Sequence, residues 1–309
     1  MRGIAIDRFG GPETLTLRDD LPDPPVGPDT VLVRVRASSV NPVDWMVRQG
    51  HLSGAYPHHF PLIPGWDVAG VIEALGPAVR GFSTGDEVYG YVRRDDVQFG
   101  TYAELVPAPD RTVAHRPASV SFGESAAVPL AGLTAYQALT EALKIQAGRR
   151  VLIHGAGGGV GSFAVQVAKA LDAIVVGTAS PAGHEYLRSL GVDEVVDYTA
   201  GPVSEQLTEK VDAVLDLVGG DALRDAPNQL RGHSWSIASV IDPDTVRKLG
   251  GTYVWVRPDR THLAVLAELV DTGKLRVRVA ATFPLERTAD AHRMSEEGRT
   301  RGKIVLTVG

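Results

Sequence analysis

The hydrophobic pattern changes character once along the chain. Up to residue 118, apolar positions come in short runs punctuated by Gly and Pro. Runs at 1–6, 31–37, 68–75, 87–91 and 102–106 each have the length and texture of a β-strand. The stretch DLPDPPVGPD at 20–29 cannot be helical, because proline fixes φ and has no N–H to donate. It reads as a surface connection. This part of the chain is therefore expected to be β-rich and barrel-like.

Beyond residue 120 the period lengthens. Ser121 followed by Glu124 has the spacing of a capping box, and helical periodicity runs from 124 to 144. From Arg150 onward, strand-like and helix-like segments alternate. Strands are predicted at 151–154, 174–177, 194–197, 213–217, 235–239 and 252–256. Helices are predicted near 160–171, 182–190, 202–209 and 221–231. Such alternation predicts an α/β unit with a doubly wound parallel sheet of the dinucleotide-binding kind. A helix at 262–272, a strand at 276–280, a helix at 285–298 and a strand at 303–308 follow. The expected division is a β-rich unit over 1–118, completed by a C-terminal return over 257–309, and a cofactor unit over 119–256.

Composition narrows the function classes. The chain has 309 residues, a net charge of −6 and no cysteine. An acidic chain without a basic run argues against nucleic acid as a partner. Without cysteine there is no disulfide, no thiolate nucleophile and no Cys-ligated zinc. No apolar run approaches the roughly 20 residues of a membrane helix, and the start of the chain lacks an apolar leader core. A cytoplasmic protein with no membrane partner is expected.

The segment VLIHGAGGGVGSFAVQVAKA (151–170) carries the clearest chemistry. A predicted strand runs into Gly155, Gly157, Gly158, Gly159, Val160 and Gly161, then into an amphipathic helix. Glycines allow a tight turn and bring backbone N–H groups close to a pyrophosphate at a helix N-terminus. An NAD-binding fold then places an acid at the end of the second strand, for the ribose 2′-hydroxyl. Here that end reads Thr178-Ala179-Ser180, with no carboxylate. Small hydroxyls leave room for a 2′-phosphate, and His184 and Arg188 follow one and two helical turns on. NADPH is expected over NADH. Thr178 and Ser180 also suit helix capping, and both roles are compatible.

With these motifs in hand, the chain resembles the medium-chain dehydrogenase/reductase superfamily over nearly its whole length. The resemblance rests on VPLAGLTAYQAL (128–139), GAGGGVG (155–161) and RGKIVLTV (301–308). It implies a GroES-like barrel domain joined to a Rossmann domain. In zinc alcohol dehydrogenases of that superfamily, a Cys-x-x-Asp/Ser and a Gly-His-Glu segment supply metal ligands. The matching stretches here are Asn41-Pro42-Val43-Asp44 and Gly65-Trp66-Asp67. Neither Asn nor Trp suits zinc, so no metal is expected. Trp66 is either a ring filling the ligand space or a plain core residue.

NPVDW (41–45), GTASxxxHEYLRSLG (177–191) and LVGG (217–220) extend the resemblance to the zinc-free, zeta-crystallin-like quinone oxidoreductases. That implies an NADPH-dependent, zinc-independent reductase passing hydride to a quinone or another α,β-unsaturated carbonyl. An enoyl-thioester reductase and a non-catalytic NADPH-binding protein are the alternatives. Asn41 is the expected hydrogen-bond donor to the developing oxyanion, with Asp44 holding its loop. An Asx turn before Pro42 is the other reading of Asn41. Tyr56, Tyr91, His58 and His59 are candidates to line a pocket, although His58-His59 reads more readily as a solvated loop than as a metal pair. The resemblance also implies that Thr134 and Gly219 touch the nicotinamide or its ribose. It further implies a homodimer formed through the outer strand at 252–256.

Overall fold

The structure is a computed structural model that describes residues 1–232, 236–298 and 300–309. The first third of the chain forms β1 (Gly3–Ala5), β2 (Thr16–Arg18), β3 (Thr30–Val40), α1 (Pro42–Arg48), β4 (His58–Ile63), β5 (Asp67–Leu75), β6 (Glu87–Tyr91), β7 (Val97–Phe99), β8 (Leu105–Pro109) and β9 (Val113–His115). The middle forms α2 (Phe122–Ala126), α3 (Pro129–Gln137), β10 (Arg150–Ile153), α4 (Gly159–Ala170), β11 (Ile174–Ala179), α5 (His184–Ser189), β12 (Glu194–Asp197), α6 (Val203–Gln206) and β13 (Ala213–Asp216). The remainder forms α7 (Gly220–Gln229), β14 (Ile237–Ser239), α8 (Pro243–Lys248), β15 (Thr252–Tyr253), α9 (Arg260–Asp271), β16 (Val279–Pro284), α10 (Thr288–Glu296) and β17 (Lys303–Thr307).

Two compact units result. The first holds Met1–Leu130, Pro258–Asp271 and Val277–Gly309; the second holds Ala131–Arg257 and Thr272–Arg276. Residues 119–130 thus group with the β-rich unit.

In the first unit a sheet runs in the order β16-β17-β3-β5-β6-β9, with β8 also paired to β3. The C-terminal strand β17 inserts antiparallel beside β3, with Ile304 opposite Val40 and Leu306 opposite Ser38. Val33, Val68, Val88 and Val106 come from four separate strands and share one buried core with Ile304 and Leu306 of β17. Each such side chain stabilises the fold by about 1.5–3 kcal/mol relative to exposure.

The second unit is a parallel sheet in the order β12-β11-β10-β13-β14-β15. This is the order of a doubly wound dinucleotide fold, with the switch between β10 and β13. Leu152, Val176, Val214 and Ile237 bury its centre. The expected strand at 252–256 is shorter, only Thr252–Tyr253. The residue Trp235, expected to open β14, lies outside the described residues, and the strand begins at Ile237. The expected helix over 124–144 is broken into α2, α3 and a π-helical turn at Ala138–Ala142. Pro129 explains the break: its missing N–H suits the start of a new helix and not the middle of one.

The capping box at the start of α2 forms as its spacing implies. Glu124 N–H donates to Ser121 Oγ at 3.2 Å, and Ser121 N–H donates to the Glu124 carboxylate at 2.9 Å. Replacing Ser121 by Ala should therefore destabilise the protein by about 1 kcal/mol, the usual cost of a lost N-cap. The urea midpoint reads this loss, and an unmoved midpoint would mean that the cap contributes nothing.

Candidate active site

The glycine loop leaves the C-terminal end of β10, where His154 N–H donates to Leu215 O of β13 at 2.9 Å. Gly158 caps α4 in extended backbone, and the helix begins at Gly159. A Cβ at Gly161 would lie 2.2 Å from the Gly155 carbonyl oxygen and 2.7 Å from Ala156 Cα. Only glycine lets the first turn of α4 approach the loop this closely. Gly155 N–H donates to Thr178 Oγ1 at 3.2 Å, so Thr178 pins the loop to the end of β11. Gly157 and Val160 complete the loop and the first turn.

Ser180 opens the 3-10 turn Pro181–Gly183, and its side chain makes no capping bond. His184 begins α5, and its Nε2 is enclosed without a hydrogen-bond partner. Beside the loop lies a cavity of about 630 Å³, bordered by Gly155, Thr178, Tyr198, Val203 and Val218. Its lining is largely apolar and suits a flat ring. Thr134 is buried in α3.

Gly219 has φ +76°, and its N–H donates to Asp216 at 2.9 Å. Val218 N–H and Ser239 Oγ donate to the same carboxylate, at 3.1 and 2.7 Å. One buried acid thus sets the loops after β13 and β14. Asp216 is not among the sequence-predicted site residues; an acid near the end of a predicted strand, just before Leu-Val-Gly-Gly, is its signal.

In the β-rich unit the structure gathers the expected Asn41 and Asp44 with a second acid, Asp67. Asp67 is fully buried. Its carboxylate accepts from Ser39 Oγ at 2.7 Å, Asn41 Nδ2 at 2.9 Å and Leu130 N–H at 2.8 Å. The buried Lys303 ammonium lies 3.9 Å away and donates to Asn41 Oδ1. Burial pushes the Asp67 carboxyl up and Lys303 down, while each charge opposes the other's shift. Both ends of the Asn41 side chain are therefore engaged inside the protein, and only 2% of the residue is exposed. Asn41 commits one of its two Nδ2 hydrogens to Asp67. It bridges Asp67 and Lys303. Lys303 lies in the RGKIVLTV stretch, which by itself assigns it no role, and the β17–β3 pairing brings it here.

Asp44 holds the start of α1, accepting from Asn41 N–H at 2.7 Å. Its Oδ2 also accepts from the Tyr102 hydroxyl at 3.1 Å, and Oδ1 is buried without a partner. A directed chain ends on Oδ2. Arg48 only donates, so His292 Nδ1, 3.1 Å from Arg48 Nη1, must accept. His292 Nε2 then carries the hydrogen and faces the Tyr102 hydroxyl at 3.3 Å. Burial and the Arg48 charge push His292 down to about 3, so it stays neutral in this chain. Burial pushes the Asp44 carboxyl up to about 7, aided by the neighbouring Asp67 and opposed by the Asn41 amide and Lys303.

Trp66 is packed among rings. It meets Tyr56 and Tyr91 edge-on, with centroids 6.2 and 6.0 Å apart. Arg93 lies over both tyrosine rings at 5.8 Å and donates to the Tyr56 hydroxyl at 2.9 Å. Gly65 turns the chain before it with φ +92°; a Cβ there would lie 2.4 Å from the Tyr102 ring. His58 and His59, expected in a solvated loop, lie on β4. His58 Nδ1 donates to the Tyr56 carbonyl at 2.7 Å. Among the described residues, no group of three or more His, Cys, Asp or Glu gathers as a metal set. No described helix is long and apolar enough to cross a membrane.

The raised Asp44 value carries a sign. Between the unfolded value near 3.8 and the folded value near 7, the folded chain holds a proton that the unfolded chain lacks. Its contribution is present at low pH and is lost as pH rises through that window. Stability of the wild type relative to Asp44→Asn should therefore fall between about pH 5 and 7, by up to ~1.4 kcal/mol per pH unit. Urea titrations of both proteins across that range check this. A pH-independent difference would mean that Asp44 is ionised throughout.

Known proteins match this architecture along its length. Residues 27–118 match the alcohol dehydrogenase GroES-like domain family, and residues 190–306 match the zinc-binding dehydrogenase family. The human mitochondrial NAD(P)H oxidoreductase RTN4IP1 is 35% identical, over 100% of this chain and 89% of its own. The chloroplastic NADPH-dependent alkenal/one oxidoreductase of Arabidopsis thaliana is 32% identical, over 99% of this chain and 79% of its own. The solved quinone oxidoreductase of Coxiella burnetii superposes with a TM-score of 0.91 at 33% identity, covering 100% of this chain and 99% of that one. The chain belongs to the medium-chain dehydrogenase/reductase superfamily, in its zinc-free quinone oxidoreductase branch.

Proposed function

We propose that the protein is an NADPH-dependent, zinc-independent reductase that delivers hydride to a quinone or another α,β-unsaturated carbonyl. The observation that carries this reading is the fate of the two positions that match metal ligands in zinc-dependent relatives. Asn41 is engaged by Asp67 and Lys303, and Trp66 is packed against tyrosines. Neither side chain is available to a metal. A conjugated acceptor needs no metal, because charge from hydride addition delocalises onto its oxygen. The names of the Arabidopsis and Coxiella relatives favour the same substrate classes.

The residues of the second unit fit a nicotinamide dinucleotide, as the close Gly161–Gly155 approach illustrates. When bound, the reduced nicotinamide supplies the hydride. The amides of Gly157, Gly158, Gly159, Val160 and Gly161, at the start of α4, receive the pyrophosphate. Gly155 sets the turn. Thr178 holds the loop, and Ser180 and His184 receive the 2′-phosphate. Thr134 and Gly219 face the nicotinamide end. Asn41 and Asp44 act by positioning: Asp44 fixes the start of α1, and Asn41 joins Asp67 to Lys303. Product protonation comes from water.

NADPH oxidation measured with a simple quinone, an enone and an enoyl-CoA tests the reading. Turnover of the first two, undiminished by a zinc chelator, is expected. Preference for enoyl-CoA would make the protein an enoyl-thioester reductase, and binding without turnover would make it a non-catalytic NADPH binder.

The sheet edge supports a proposal about assembly. β15 is the outermost strand of the parallel sheet, and Trp255 just beyond it is 48% exposed. An open edge with an adjacent exposed ring invites pairing, and we place an isologous homodimer there. Sedimentation at micromolar concentration should return twice the chain mass, and a monomeric mass would overturn the assignment. The cysteine-free composition suits a reducing compartment; we place the protein in the cytoplasm.

A further inference from the structure

The end of β11 offers no acid to a ribose hydroxyl, but the neighbouring strand does. β11 and β12 are parallel, and their register sets Ala179 opposite Asp197. Adjacent strands lie about 4.8 Å apart, so Asp197 ends β12 beside the residue that precedes Ser180. Its side chain is aimed past the strand end. Oδ1 accepts from Thr199 N–H at 2.8 Å and from Thr199 Oγ1 at 2.6 Å. Its backbone carbonyl accepts from Gln206 Nε2 at 3.0 Å, which fixes the strand end. The two Thr199 bonds hold the Asp197 carboxyl below its ordinary range, and the His184 imidazole adds to the effect. The carboxylate therefore stands within electrostatic reach of His184. Tyr198, the next residue, and Thr178 border the same cavity.

We propose that Asp197 is a specificity-determining residue that weakens this protein's preference for a 2′-phosphorylated cofactor. The inference rests on the reading above that the 2′-phosphate sits at Ser180 and His184. A carboxylate there accepts readily from a ribose hydroxyl and repels a phosphate. It also attracts the His184 imidazole, which the phosphate needs. A turn-forming role alone would explain the Thr199 bonds equally well. Asparagine keeps such a turn and removes the charge, so Asp197→Asn separates the two roles.

Binding of NADPH and NADH to the wild type, Asp197→Asn and Ser180→Asp, followed by quenching of protein fluorescence at low salt, tests this. Asp197→Asn should tighten NADPH by about three- to ten-fold, the scale of a partly screened charge pair. NADH affinity should hold or weaken, and the NADPH gain should shrink as salt is added. If Asp197→Asn leaves the ratio of the two Kd values within about two-fold while Ser180→Asp shifts it toward NADH, Asp197 only shapes the turn and the proposal fails alone. If neither variant moves the ratio, the 2′-phosphate is not bound at this strand end, and the cofactor assignment fails with it.

Discussion

The buried carboxylate of Asp67 is the constraint on which the β-rich unit depends. It begins β5, and the residue's partners come from four other places: Ser39 and, through the Asp67 carbonyl, Ser38 in β3, Asn41 before α1, Leu130 in α3 and Lys303 in β17. An ionised acid away from water is tolerated only when charge and hydrogen bonds surround it. Removing any partner leaves a buried charge short of a bond. The network therefore specifies which strand ends meet, more than it adds to stability. It also draws the C-terminal strand into the sheet, since Lys303 reaches Asp67 only when β17 lies beside β3.

A second carboxylate plays a similar part in the cofactor unit. Asp216 gathers the amides of Val218 and Gly219 and the hydroxyl of Ser239. These loops stand at the C-terminal ends of parallel strands, the edge where doubly wound sheets bind their ligands. Thr178 serves the glycine loop in the same way, through the Gly155 amide. Each of these loops is thus tied back to a strand end by a short polar side chain. Such ties hold binding groups in place without burying the backbone that must reach the ligand.

The two buried clusters also explain why expected chemical roles moved. Asn41, expected as an oxyanion donor, gives one amide hydrogen to a neighbouring acid and accepts from an ammonium through its carbonyl. Trp66 occupies a position that binds metal in zinc enzymes, and here aromatic edges close over it. His292 shows no signal in sequence, but its tautomer is dictated by Arg48, which can only donate. Through Tyr102 this chain keeps Asp44 Oδ2 an acceptor, while Oδ1 is buried without a partner.

The sequence by itself determined what depends on neighbours along the chain. The strand–glycine–helix order, the alternation of the parallel unit, the capping box at Ser121 and the absence of thiol chemistry all follow from local spacing and composition. Pro129 was an equally local signal, and it marks the helix break that periodicity alone overlooked. Tertiary structure decided what depends on register between distant segments. Lys303 meets Asn41 across 262 residues, and His292 meets Arg48 across 244. Asp197 comes beside Ala179 only because β11 and β12 pair in one register. A strand's own sequence states which faces are apolar but not which residue of another strand lies opposite. That choice is made by packing and by the need to satisfy every buried charge.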